Sequence, residues 1–150
     1  MLNDIFKTTT SDYKYIAIQA LFLTTFGLAS LVKWQSGGVP DGFIEQFGST
    51  WLAALPLGLA LPYYIIAVTE TLIFVLFTLS VFRLEWLSTS DKMYMRLGLI
   101  ASLFIFVILA YGLRLTGQFG GTANTFFYFG VSLFALYIAE KQSNRLSNQS

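Results

Sequence analysis

From Leu97 to Leu113 the chain carries no charged residue, and Arg96 and Arg114 close the run at either end. A helix crossing the bilayer needs roughly 20 apolar residues to span a hydrocarbon core of about 30 Å. Inside that core the backbone has no water to bond to, so a single crossing must be helical. The same pattern recurs along the chain, and the expected spans cover 15–33, 57–82, 96–114 and 124–140. This predicts an all-α protein, an integral membrane four-helix bundle forming one domain over 1–150. Residues 142–150, rich in Ser, Asn and Gln, are expected to be a mobile tail. The first apolar run is longer than the roughly 7–15 residues of a signal-peptide core, and no Ala-x-Ala-like site follows it, so it reads as a retained helix.

Composition agrees with this architecture and narrows the chemistry. The chain is 55% hydrophobic and only 11% charged, against roughly 25% charged in soluble domains, and its mean hydropathy is +0.65. A net charge of +1 gives no basic surplus for nucleic acid. With no Cys and no His, disulfides, thiol redox chemistry, Cys/His zinc sites and histidine-ligated haem are all excluded.

Lysine and arginine set the expected orientation. Lys7, Lys14, Arg83, Lys92, Arg96, Lys141 and Arg145 fall on the side of the termini and the central loop, whereas only Lys33 and Arg114 fall on the other. Both termini are therefore expected in the cytoplasm. Trp34, Trp51 and Trp86 lie near the expected water interfaces, as an aromatic belt requires. On the non-cytoplasmic side, Phe43, Ile44, Phe47, Trp51, Leu52 and Leu55 follow a Gly-Gly-Val-Pro turn at helical spacing. They predict a short amphipathic helix, with Asp41 placed to cap it, lying on the membrane or folding back over the bundle. The loop 83–96 reads as a short turn.

Glu70 interrupts the second span near its middle. An acidic side chain at that depth costs about 2.5–3.5 kcal/mol on insertion scales, so it must face the bundle interior. Matching depths across antiparallel helices places Thr24, Thr25 and Ser132 beside it, and hydroxyl neighbours favour a neutral carboxyl. Such a group either handles protons or a ligand, or simply bonds helices together. Toward the non-cytoplasmic end, Lys33, Tyr63, Tyr64, Tyr111, Arg114, Asn124 and Tyr128 collect. Glu70, Lys33, Tyr63, Tyr111, Arg114 and Tyr128 are the expected ligand-binding set, suited to the head of a quinone-like or anionic ligand. Lys, Arg and Tyr at helix ends also serve as ordinary interfacial anchors. Gln19, with Gly27, Ala29 and Ser30, suits close helix packing, and Gly58 with Pro62 suits a kink at the outer end of the second span.

Gly27 and Lys33, then Gly38-Val39-Pro40 with its aromatic amphipathic segment, resemble the DoxX family of small four-helix membrane proteins. Val68-Thr69-Glu70 and Asn124-Thr125-Phe126-Phe127-Tyr128 extend the resemblance from about Tyr15 to Lys141. It implies a bacterial inner (plasma) membrane bundle, with relatives linked to thiosulfate:quinone oxidoreductase or to redox and oxidative-stress partners. By motif position Lys33 and Glu70 carry over, while no residue matches a thiosulfate-handling motif. The expected function is a quinone-associated redox subunit, its electrons passing through the bound quinone or a separate redox protein. Two other classes stay open: a structural or assembly subunit of a larger membrane complex, and a small proton-coupled transporter; self-association into a homo-oligomer stays open beside all three.

Overall fold

The computed structural model describes residues 10–147, with side chains described for 12–143. Lys7 and the side chain of Arg145, both used in the charge count above, lie outside these limits, as do residues 148–150 of the expected tail. The described chain is all-helical: α1 (Thr10–Gln35), α2 (Asp41–Phe47), a 3₁₀ turn (Trp51–Ala54), α3 (Ala60–Phe82), α4 (Met93–Leu115) and α5 (Phe119–Ser147). Four of these, α1, α3, α4 and α5, are long and apolar enough to cross a membrane. At 1.5 Å per residue, the 23 residues of α3 reach about 35 Å, enough for a slightly tilted crossing. Large apolar side chains such as Leu28, Val68, Phe104 and Phe126 stand on the outside, where lipid is their solvent. The chain is a multi-pass membrane protein.

Several boundaries differ from expectation for local reasons. Leu57 and Gly58 both adopt positive φ, which ends any helix there, so α3 begins at Ala60. Pro62 then falls in the first turn, where its missing N–H costs nothing and no kink is needed. Asp41 opens α2 instead of capping it, with Pro40 in the cap position. The amphipathic segment is split into α2 and the 3₁₀ turn and lies across the bundle end, with Phe47 buried against Gly112 and Gln46 donating to Thr116 Oγ1 at 3.0 Å. The tail expected from 142 is helical as far as Ser147.

Successive crossings pack tightly, α1 on α3, α3 on α4 and α4 on α5, while the side between α1 and α5 is the loosest. Phe22, Phe77, Ile73, Leu99 and Ile105 fill the centre, with Phe22 stacked on Phe77 at 5.0 Å. Gly98 lets Phe77 approach its backbone, since a Cβ there would stand 2.8 Å from the ring. Gly27 does the same beneath Phe74.

The loop 83–92 is more than a turn. At this end, where α1 begins and α5 ends (the termini end), Asp12, Glu85 and Lys92 are all buried. Glu85 accepts from the N–H groups of Tyr94 and Met95 at 2.9 and 2.8 Å, capping α4 from outside its own helix. Its Oε2 also accepts from Ser80, whose hydroxyl takes a bond from Gln19 at 2.7 Å. Gln19 thus serves helix packing. The Lys92 ammonium donates to the carbonyls of Leu87 and Ser90 and sits 4.6 Å over the Tyr15 ring. Asp12 accepts from Ser88 N, and Gln142 donates to Ser88 O, so α1 and α5 are both tied to this loop.

Burial lowers the Lys92 pKa from 10.5 to about 8, against the opposing pull of Glu85, Asp12 and Asp91. Between those values the unfolded chain binds more protons than the folded one, so this residue's contribution to stability rises with pH. In detergent melts from pH of about 8 to 10.5, wild type is expected to gain stability relative to Lys92→Met. A gap that stays constant or moves the other way would show that burial does not govern this lysine.

Candidate functional site

Glu70 is buried on the inner face of α3, and its Oε2 lies 2.8 Å from the Lys33 ammonium. This corrects the expectation that only hydroxyls reach it. The Lys33 ammonium, not a threonine hydroxyl, is the nearest partner of its Oε2. The difference is one of helix register. Phe74 covers Gly27 and Trp34 meets Thr71, which puts Glu70 level with the last turns of α1. That is roughly two helical turns, about 10 Å, from Thr24. α1 overhangs α3 at the termini end, where Asp12 and Tyr15 meet the 83–92 loop.

Side-chain direction closes the remaining gap. Cβ atoms tilt toward a helix's own N-terminus. On antiparallel helices Lys33 therefore leans inward and Glu70 leans outward, and they meet. Two further contacts hold Lys33 in place. The Tyr63 hydroxyl donates to the Lys33 carbonyl at 3.3 Å and pairs with Ser36 Oγ at 3.0 Å, satisfying a free carbonyl at the end of α1. Trp34 Nε1 donates to Thr71 Oγ1 at 2.9 Å, one residue along both helices. The Lys33 side chain keeps 24% of its surface exposed, whereas Glu70 keeps 6%.

Glu70 also forms part of the wall of a cavity of about 400 Å³. α1 supplies Phe22, Thr25 and Phe26, α4 supplies Phe106, and α5 supplies Thr125, Tyr128 and Ser132. The rings form a continuous run, with Phe26 5.9 Å from Phe106 and Phe106 5.7 Å from Tyr128. Ser132 and Thr125 spend their protons on the carbonyls of Tyr128 and Thr122, which leaves oxygen lone pairs as acceptors. Thr25, Phe127 and Tyr128 are exposed, so the cavity opens sideways through the loose α1–α5 seam, toward lipid. The result is an apolar, ring-lined chamber with one ion pair at its wall.

Of the six residues expected to bind a ligand, Glu70 and Tyr128 line this cavity. Lys33 is joined to it through Glu70, and Tyr63 through the backbone of Lys33. Tyr111 and Arg114 do not belong. They line a separate depression with Thr122 and Phe126, where Tyr111 accepts from Trp51 Nε1 and Arg114 stacks over Phe119 at 4.5 Å. Both lie at the bundle end, away from the Glu70 cavity. Of the hydroxyls expected beside Glu70, Thr25 and Ser132 line the same cavity, whereas Thr24 lies on the outer α1–α3 groove. Phe22, Phe26 and Phe106 gave no sequence signal, because an aromatic residue in a lipid-facing helix looks the same whether it lines a cavity or not.

Removing one partner of a fully buried pair costs about 3–5 kcal/mol, because the other charge is stranded. With Lys33 part-exposed, Glu70→Gln and Lys33→Met are each expected to destabilise by about 1–3 kcal/mol. The double variant is expected to cost less than their sum, with a coupling of about 0.5–3 kcal/mol in unfolding measured in detergent. Strict additivity would mean that the pair is not formed.

No family model matches the chain, and neither does any curated protein or solved structure.

Proposed function

We propose that this is a DoxX-like protein of the bacterial inner membrane that binds a quinone ring beside Glu70 and serves as the membrane subunit of a redox system. The observation that carries this reading is the cavity itself: about 400 Å³, walled by Phe22, Phe26, Phe106 and Tyr128, with Glu70 its one charged lining group and its mouth on the lipid side. A quinone is a planar ring with two carbonyl oxygens on an isoprenoid tail that already resides in the bilayer. Such a ring stacks on aromatic walls, and its tail leaves through the α1–α5 seam. Pockets for such ligands are mostly apolar with few well-placed polar groups.

Reducing the ring to a quinol takes two electrons and two protons. The chain contains no Cys or His, so in this reading the electrons come from a separate redox protein at the membrane surface. Glu70 takes up a proton from the outer surface past Lys33 and passes it to the near ring oxygen, returning to its carboxylate, and the second proton comes with the electrons from the redox protein. Lys33 is the more exposed partner and connects that carboxylate to the outer surface. Lys14, Arg83, Lys92, Arg96 and Lys141 at the termini end, against Lys33 and Arg114 at the other, support cytoplasmic termini.

The geometry favours this over proton-coupled transport. Phe22, Ile73, Phe77 and Leu99 are buried between Glu70 and the Gln19–Ser80–Glu85 chain, an apolar plug across the middle of the bundle. The assembly reading has one observation of its own, the outward aromatic face of α5 with Phe126, Phe127, Phe134 and Tyr137 exposed.

Purified wild type is expected to retain ubiquinone or menaquinone, and Glu70→Gln to lose most of it. Ala29 lines the same cavity from α1, and Ala29→Phe, which fills the cavity but spares the ion pair, is expected to lose quinone too while melting like wild type. Equal and negligible quinone in all three would overturn the reading.

A further inference from the structure

The α1–α5 seam opens a second time, nearer the termini end. Lys14 and Tyr15 from α1 face Phe134, Tyr137, Lys141 and Gln142 from α5 across a cleft of about 280 Å³. Each ammonium rides near a tyrosine, Lys14 at 4.8 Å from the Tyr15 ring and Lys141 at 5.9 Å from the Tyr137 ring. Neither has a carboxylate within ion-pair distance among the described residues. Three acids of this end are committed elsewhere: Asp12 is buried and accepts from Ser88 N, Glu85 caps α4, and Asp91 holds Arg96 and Ser143. Glu140 does not line the cleft but borders the adjoining hollow, which shares Phe134 and Tyr137 with it.

The geometry points to a binding site for the phosphate of an anionic membrane lipid between Lys14 and Lys141, with an acyl chain lying along the α1–α5 seam. Two uncompensated cations face each other over an apolar floor of Phe134 and Ile138. Lys14 lies four residues inside the start of α1 and Lys141 six inside the end of α5, a depth suited to the boundary between headgroup and hydrocarbon. Free phosphate would match the charge but leave the apolar floor bare. A zwitterionic lipid would bring its own ammonium against two lysines. Only an anionic lipid satisfies both halves of the cleft, as in other basic pockets between membrane helices. Such a lipid would buttress the side of the bundle that helix packing leaves loosest, whatever fills the Glu70 cavity.

Native mass spectrometry of the full chain in detergent, titrated with phosphatidylglycerol, tests this. Wild type is expected to hold one lipid, and Lys14→Gln/Lys141→Gln to bind it about tenfold more weakly or worse, at roughly 1 kcal/mol per lysine. Arg83→Gln, which removes a cation of the same end outside the cleft, is expected to bind like wild type. Phosphatidylcholine and inorganic phosphate are both expected to bind wild type at least about tenfold more weakly than phosphatidylglycerol. Each single lysine variant is expected to fall between wild type and double, so the site can be judged even if the double does not fold. Unchanged binding in the lysine variants, an equal loss in Arg83→Gln, or equal affinity for phosphatidylcholine or free phosphate would each overturn the proposal.

Discussion

A carboxylate inside a bilayer has lost its water, and Glu70 regains a partner only because Lys33 comes within 2.8 Å from the neighbouring helix. Desolvating an isolated charge costs several kcal/mol even after relaxation, so this pairing constrains everything around it. It fixes the register of α1 on α3, together with Trp34 on Thr71 and Gly27 beneath Phe74. It also explains why Tyr63 and Ser36 grip the Lys33 backbone. A lysine that must reach inward needs its own helix end held still. The pair's position then decides where the bundle's charged wall lies, and the cavity forms against it.

The two ends of the bundle solve the burial problem differently. At the termini end Glu85 and Lys92 are satisfied mostly by backbone groups, through the N–H donors of α4 and the carbonyls of the 83–92 loop. That arrangement is closed and leaves nothing facing a ligand. At Glu70 the partner is a side chain, and the carboxylate remains on a cavity wall. The contrast separates a carboxylate enclosed within the fold from one that is paired yet still borders a cavity. Both openings of interest, the Glu70 cavity and the two-lysine cleft, lie on the α1–α5 seam. That is the side where no short connection forces the helices together.

Much of the architecture could be read from residues alone, because a bilayer penalises unpaired backbone and exposed charge so heavily. The four apolar runs and the inward-facing Glu70 followed directly. The partner of Glu70 did not, because centring each apolar run assumes that all helices sit level. α1 is displaced by its contacts with the 83–92 loop, which no hydropathy pattern reports. Lys92 was counted only as a cation of the central loop, and its burial was not foreseen, since a lysine beside Asp91 in a short polar segment carries no sign of tertiary partners. Tyr111 and Arg114 share the outer end with Lys33 yet face another side of the bundle. Linear position gives depth, but facing depends on helix rotation.

The charge state of Glu70 tests the account most directly. Infrared difference spectra of wild type against Glu70→Gln, in lipid at neutral pH, separate an ionised carboxylate from a protonated carboxyl by their distinct stretching bands. Pairing with Lys33 predicts that the band lost in the variant is that of a carboxylate, and that Lys33→Met converts it to a protonated carboxyl. A protonated carboxyl already present in wild type, unaltered by Lys33→Met, would contradict the pairing on which the site is built.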